Sequence, residues 1–122
     1  MKFKLGELFC GPGGLSLGAF NANIKRSEDN FSISHGWASD YDFDTCQTYL
    51  KNTPGAESKT VICVDVKDLN IDLLPEINCF AYGFPCNDFS LVGEHKGING
   101  DFGPLYTYGI KVIEKFNPLF FV

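Results

Sequence analysis

The chain has 122 residues, 44% of them hydrophobic and 20% charged, with twelve Phe and a formal net charge of −5. That is enough for one soluble domain with a real core, and no apolar run approaches the roughly 20 residues of a membrane span. Five cysteines without a CxxC pair give neither a disulfide framework nor a zinc site, so a reducing cytoplasm is expected.

Met1-Lys2-Phe3-Lys4 leads straight into a strand-like segment, with no signal peptide. The first predicted strand covers Lys4–Phe9, followed by a Gly-rich turn at Gly11–Gly14 and a helix through Leu15–Asn21. A polar connection, Lys25–Asn30, leads to the second strand at Phe31–Ala38. The second helix is expected at Phe43–Leu50, stopped by Asn52-Thr53-Pro54-Gly55. The third strand is Thr60–Val64, and a helical turn at Ile71–Leu74 ends at Pro75. The apolar run Asn78–Gly83 suits a central fourth strand. Phe84–Phe102 is long, Gly-rich and aperiodic, the kind of loop that usually carries function. A last helix spans Leu105–Phe116, and a fifth strand begins at Leu119. The alternation predicts an α/β fold, a parallel sheet in the order 3-2-1-4-5 with helices on both faces. The apolar ending Leu119-Phe120-Phe121-Val122 reads as an unfinished strand, so a truncated or split protein is expected, one able to self-associate through that edge.

In such a sheet the carboxyl ends of the strands form one rim, and ligands bind where the strand order reverses. Four segments fall there: Phe9-Cys10-Gly11-Pro12-Gly13-Gly14, Ser39-Asp40-Tyr41-Asp42, Asp65-Val66 and Gly83-Phe84-Pro85-Cys86. The glycines let a ligand approach the backbone at a helix N-terminus, or simply make a strand-to-helix turn. They form neither a P-loop nor a full GxGxxG. Asp40 is placed to accept from ribose hydroxyls, but Asp40 or Asp42 serves equally as an N-cap. Tyr41 suits stacking on adenine or covering the core edge. Asp65 suits an adenine amino group or a local turn. Cys46, Cys63 and Cys79 read as small buried hydrophobes, and His35 and His95 as a strand-edge and a loop residue. Cys86 differs: it follows a Pro at the end of a central strand and opens the long loop, where a thiolate serves as a nucleophile.

Glu7-Leu8-Phe9-Cys10-Gly11-Pro12-Gly13-Gly14-Leu15-Ser16 resembles the first motif of the cytosine-5 DNA methyltransferases, and Gly83-Phe84-Pro85-Cys86-Asn87-Asp88-Phe89-Ser90 resembles their fourth. Asp40-Tyr41, Asp65-Val66 and Gly103-Pro104-Leu105 resemble the intervening and fifth motifs, so the likeness covers nearly the whole chain. It implies a Rossmann-like methyltransferase fold and S-adenosylmethionine as cofactor, with S-adenosylhomocysteine as product and no metal. Cofactor contacts would come from Phe9, Cys10, Gly11, Gly13, Gly14, Asp40, Tyr41, Asp65, Val66, Pro85 and Leu105. A cytosine flipped out of DNA would be attacked at C6 by Cys86, which makes C5 nucleophilic enough to take the methyl group. Two positions depart from the family pattern, Asn87 where Gln is usual and Phe102 where a basic residue is common.

The resemblance also implies absent parts: the motif with the Glu that protonates cytosine, a later Arg motif, the target-recognition domain and a C-terminal segment. Residues 1–122 would then be the cofactor-binding, nucleophile-bearing part of a catalytic domain, inactive alone. The acidic balance has the same origin, because the groups that grip DNA lie elsewhere. Restriction–modification is the expected setting. Two alternatives remain open at this stage, a tRNA-directed relative and a non-catalytic cofactor-binding half of a split protein.

Overall fold

A computed structural model describes residues 1–22, 25–26, 29–85 and 103–122. Strand β1 is Lys2–Leu8, α1 is Gly14–Asn21, and β2 (Lys25–Arg26) with β3 (Asp29–Asn30) forms a small antiparallel hairpin. Then come β4 (Ser32–Asp40), α2 (Phe43–Asn52), β5 (Val61–Cys63), a 3-10 turn at Ile71–Leu73 and β6 (Cys79–Tyr82). A second 3-10 turn at Gly103–Leu105 runs into α3 (Tyr106–Phe116), and β7 is Phe120–Phe121. The main sheet has five strands in the order β5-β4-β1-β6-β7, every neighbouring pair parallel. Apart from the hairpin, this is the 3-2-1-4-5 order expected from the alternating apolar runs.

The sheet separates two bodies of core. On one face Leu8, Trp37 and Phe80 pack with Val112 and Phe116 of α3 and with Leu74 and Ile77. On the other, Ala38 packs with Cys46 and Tyr49 of α2, while Leu5, Cys79 and Ala81 meet Ala19 and Phe20 of α1. Alternation along β1 decides this split, since Leu5 and Leu8 are of opposite parity. Trp37 is fully buried, and its Nε1 donates to the Pro75 carbonyl at 3.1 Å.

Strand β4 carries one residue more than β1. Leu5 lies opposite His35 but Gly6 lies opposite Trp37, so Gly36 is the extra residue of a β-bulge. A Cβ at Gly36 would sit 2.7 Å from the Leu5 carbonyl oxygen, a backbone atom that cannot step aside.

Three expectations are corrected. The polar stretch Lys25–Asn30 is not a plain connection but contains the hairpin, with Lys25 paired to Asn30 and Arg26 to Asp29. Strand β4 continues past Ala38 to Asp40, because Ala38, Ser39 and Asp40 still have Val61, Ile62 and Cys63 to pair with. Cys46 and Cys79 are buried, but Cys63 is exposed, since it ends a three-residue strand at the open edge of the sheet. The long predicted loop is described only at its start, Phe84 and Pro85: residues 86–102, including Cys86, Asn87 and His95, lie outside the described residues. Among the described residues no helix is long and apolar enough to cross a membrane, and no group of three potential metal ligands occurs.

Candidate functional site: a cleft at the carboxyl ends of the strands

A cleft of about 630 Å³ opens at the carboxyl ends of the strands. Its lining comes from the end of β1 (Leu8, Phe9), the end of β4 (Ser39, Asp40, Tyr41) and the segment after β5 (Val64 to Lys67). Gly83 and Pro85 after β6, and Leu105 just before α3, close the other side. The volume falls within the range of sites for drug-sized ligands. An apolar floor with a few charged groups at its edge is also their usual chemistry.

The acidic groups at the rim divide their tasks. Asp42 is the N-cap of α2, its Oδ1 accepting from the Thr45 N–H at 2.8 Å, and this hydrogen bond holds its carboxyl below the usual range. Asp40 is thereby released from capping. Its Oδ2 accepts from the Gly11 N–H at 2.9 Å and its Oδ1 from the Asp42 N–H at 3.1 Å. Each carboxylate oxygen has a second acceptor position, so Asp40 is oriented and still able to receive hydroxyls. Asp65 turns the chain after β5 through a bond from the Lys67 N–H to its Oδ1 at 2.9 Å.

The Gly-rich turn is built on left-handed backbone. Gly11 has φ 54° and Gly13, the N-cap of α1, has φ 100°, conformations that glycine adopts without penalty. Phe9 has φ 54° as well, and a bulky residue there is strained. That strain sits on the cleft wall, where such outliers tend to gather.

Beneath the turn lies a polar network that the linear motifs do not announce. Glu7 on β1 is buried, and one carboxyl oxygen receives the Ser16 hydroxyl from α1 and, at 3.3 Å, the Tyr49 hydroxyl from α2. Ser16 and Tyr49 also meet at 2.6 Å, Tyr49 lies 3.3 Å from His35 Nδ1, and His35 Nε2 lies 2.8 Å from Thr60 Oγ1. The other Glu7 oxygen, Oε1, is buried with no hydrogen-bond partner among the described residues. Burial pushes the Glu7 carboxyl up to about 7, against the hydrogen bonds from Ser16 and Tyr49, while the Asp40 charge adds a smaller upward push. His35, read from sequence as a strand-edge residue, is thus part of this network, and burial lowers its pKa. A Glu inside the apolar run Leu5–Phe9 was the available signal in the sequence.

Of the residues singled out from sequence, Phe9, Asp40, Tyr41, Asp65, Val66, Pro85 and Leu105 meet in the cleft lining. Gly11 reaches the cleft through its N–H on Asp40. Gly13 and Gly14 shape the entry to α1 without lining the cleft. The Cys10 side chain does not join the lining; it packs with Ala38, Cys46, Tyr49 and Val61, and burial pushes its thiol far up. Leu8, Ser39, Val64, Lys67 and Gly83 line the cleft without having been named as contacts.

The model for the C-5 cytosine-specific DNA methylase family matches residues 3–122. Among curated relatives, the type II methyltransferase M.BbvI of Brevibacillus brevis is 48% identical over 128 aligned positions, covering 100% of this chain and 34% of the relative. The type II methyltransferase M.NgoFVII of Neisseria gonorrhoeae is 28% identical, covering 99% of this chain and 29% of the relative. The chain thus spans about a third of the length of these relatives. In three dimensions it is similar to the S. pombe Dnmt2 methyltransferase, with a TM-score of 0.60 and 18% identity over 96% of this chain and 33% of that one, a likeness of fold. With a parallel methyltransferase-type sheet, a cleft at its switch point and a family match over nearly every residue, the chain belongs to the C-5 cytosine-specific DNA methylases.

Proposed function

We propose that residues 1–122 form the cofactor-binding and nucleophile-bearing part of a DNA (cytosine-5) methyltransferase, acting within the longer protein in restriction–modification. The observation that carries this reading is the cleft itself. Asp40 is fixed by two backbone N–H groups, beside exposed Tyr41 and Asp65 and over the apolar floor of Leu8, Val66 and Leu105. This donor and acceptor set fits S-adenosylmethionine, which supplies an electrophilic methyl group when bound. Asp40 accepts from the ribose hydroxyls through the lone pairs left by Gly11 and Asp42. Tyr41 covers the adenine face, and Asp65 accepts from the adenine amino group. Phe9 and the N–H groups of the glycine turn hold the amino-acid end.

Cys86 is the residue after Pro85, which lines the cleft. In this reading its thiolate adds to C6 of a flipped cytosine, a C–S bond forms, and C5 gains the electron density that takes up the methyl group. Loss of the C5 proton then expels the thiolate. The matching family, described as C-5 cytosine-specific DNA methylase, favours DNA over RNA as the substrate.

Calorimetric titration with S-adenosylmethionine tests the cofactor part. Asp40→Ala, checked for folding by circular dichroism, is expected to weaken binding about 10- to 100-fold, the usual cost of losing hydrogen bonds to a charged group. Unchanged affinity would remove Asp40 from the site. For the nucleophile, the full-length enzyme is incubated with cofactor and 5-fluorocytosine DNA. A covalent adduct is expected from the native protein and none from Cys86→Ala. An adduct that survives the substitution assigns the chemistry to another residue.

A further inference from the structure

Behind the strand end that carries Asp40, two thiols converge. Cys46 lies in the early part of α2, 2% exposed, and its Sγ donates to the Asp40 carbonyl at 3.5 Å. Cys63 ends β5, lies opposite Asp40 in the ladder, and its Sγ donates to the Tyr41 carbonyl at 3.7 Å. Asp40 and Tyr41 are consecutive, so the sulfurs hold adjacent carbonyls from two different elements. The thiols also sense each other: burial, and then the neighbouring Cys63, pushes Cys46 up to about 12. Both are free, one buried and the other exposed to solvent. An exposed thiol that meets an oxidant, backed by a second thiol within reach, is the arrangement of a sensing cysteine with its resolving partner.

We propose that Cys46 and Cys63 form a reversible disulfide under peroxide, and that this link disturbs the Asp40–Tyr41 segment and lowers cofactor affinity. The idea rests on reading Asp40 and Tyr41 as cofactor contacts. Chemically, the Cys63 sulfur attacks one peroxide oxygen, the O–O bond breaks, and a sulfenic acid and water result. The Cys46 sulfur then attacks the Cys63 sulfur, an S–S bond forms, and the hydroxyl leaves with the Cys46 proton as a second water. Two thiols are oxidised, one peroxide is reduced, and a dithiol reductant reverses the change. The link consumes both S–H donors, so the carbonyls of Asp40 and Tyr41 lose those bonds together. It also draws the early part of α2 towards the end of β5. Val64 still donates to the Asp40 carbonyl at 2.9 Å, so the segment is displaced rather than freed.

The test treats the full-length protein with hydrogen peroxide, blocks remaining thiols and maps peptides by mass, with parallel titrations of S-adenosylmethionine. A Cys46–Cys63-linked peptide, lighter than its two halves by two hydrogens, is expected. Affinity should fall about tenfold or more, the scale of ordinary coupling between sites, and recover with dithiothreitol. Cys63→Ser should keep its affinity through the same treatment, which separates this pair from oxidation elsewhere in the protein. Absence of the linked peptide, or a complete link with unchanged affinity, overturns the switch alone. If the reduced protein binds no cofactor at all, the reading of Asp40 and Tyr41 fails first and the switch fails with it.

Discussion

Glu7→Gln is expected to gain stability over the native protein as pH rises, by about 3 kcal/mol between pH 4.5 and pH 8. The cause is burial. Glu7 has one oxygen held by Ser16 and Tyr49 and the other without a partner among the described residues, and its pKa rises from 4.5 to about 7. Below pH 4.5 the carboxyl is neutral in both folded and unfolded chains, so it carries no ionisation penalty. Between pH 4.5 and 7 the unfolded chain releases a proton that the folded chain keeps, and each pH unit costs the fold about 1.4 kcal/mol. Above the folded pKa both states are ionised and the penalty levels off. Gln keeps the shape and cannot ionise. His35, whose pKa is lowered, works in the opposite sense: its contribution is lost as pH falls. It is present in both proteins, so the difference between their curves reports mainly on Glu7. Urea unfolding at several pH values measures this, and parallel curves for the two proteins would show that Glu7 ionises inside the fold at its ordinary pKa, without the upward push of burial.

Trp37→Ala is expected to destabilise the protein by about 3–5 kcal/mol. Trp37 is fully buried, with ring centroids 6.2 Å from Phe80 and 6.3 Å from Phe116, and it joins β4 to both β6 and α3. Its indole lies across Gly6: a Cβ there would fall 2.7 Å from two ring atoms, so the absent side chain makes room for the ring. Truncation leaves a large void and removes the donor from the Pro75 carbonyl. Against a typical total of about 5–15 kcal/mol, a loss of this size removes a large share of the stability of the fold. Trp37→Phe keeps most of the apolar volume and loses only the hydrogen bond, so its loss should be about 1–2 kcal/mol smaller than that of Ala. Chemical denaturation midpoints of the three proteins give the comparison, and equal effects from Ala and Phe would assign the cost to the hydrogen bond rather than to packing.

Much of this arrangement is legible in the sequence because it depends on contiguous pattern. Apolar runs separated by helical stretches specify parallel strands, and the glycines after Phe9 mark where β1 must turn into α1. What is not legible depends on contacts between distant segments. The sequence alone leaves Asp40 and Asp42 equal candidates for capping α2; only the bond from Thr45 to Asp42 separates them. Cys63 has the same local letters as a core strand residue, and its exposure comes from β5 being outermost. Lys25–Asn30 is polar throughout, so its hairpin leaves no hydrophobic alternation to read. The hydrogen bonds joining Glu7, Ser16, Tyr49 and His35 span four elements, and no spacing rule along the chain could assemble them.

The bulge at Gly36 bears on which length changes this strand tolerates. Ile33 and His35 point towards α1 and α2, whereas Trp37, only two positions beyond His35, points towards α3. A regular strand would place residues two apart on the same side, so Gly36 supplies a half-step between two correctly phased segments. Excising Gly36 would therefore leave an unkinked ladder with His35 still under Tyr49 and Trp37 still over Phe80. Excising Ser34 instead would keep Trp37 in place but rotate His35 to the wrong side. Gly36 is thus the point in the strand where the loss of a single codon need not turn a neighbour over.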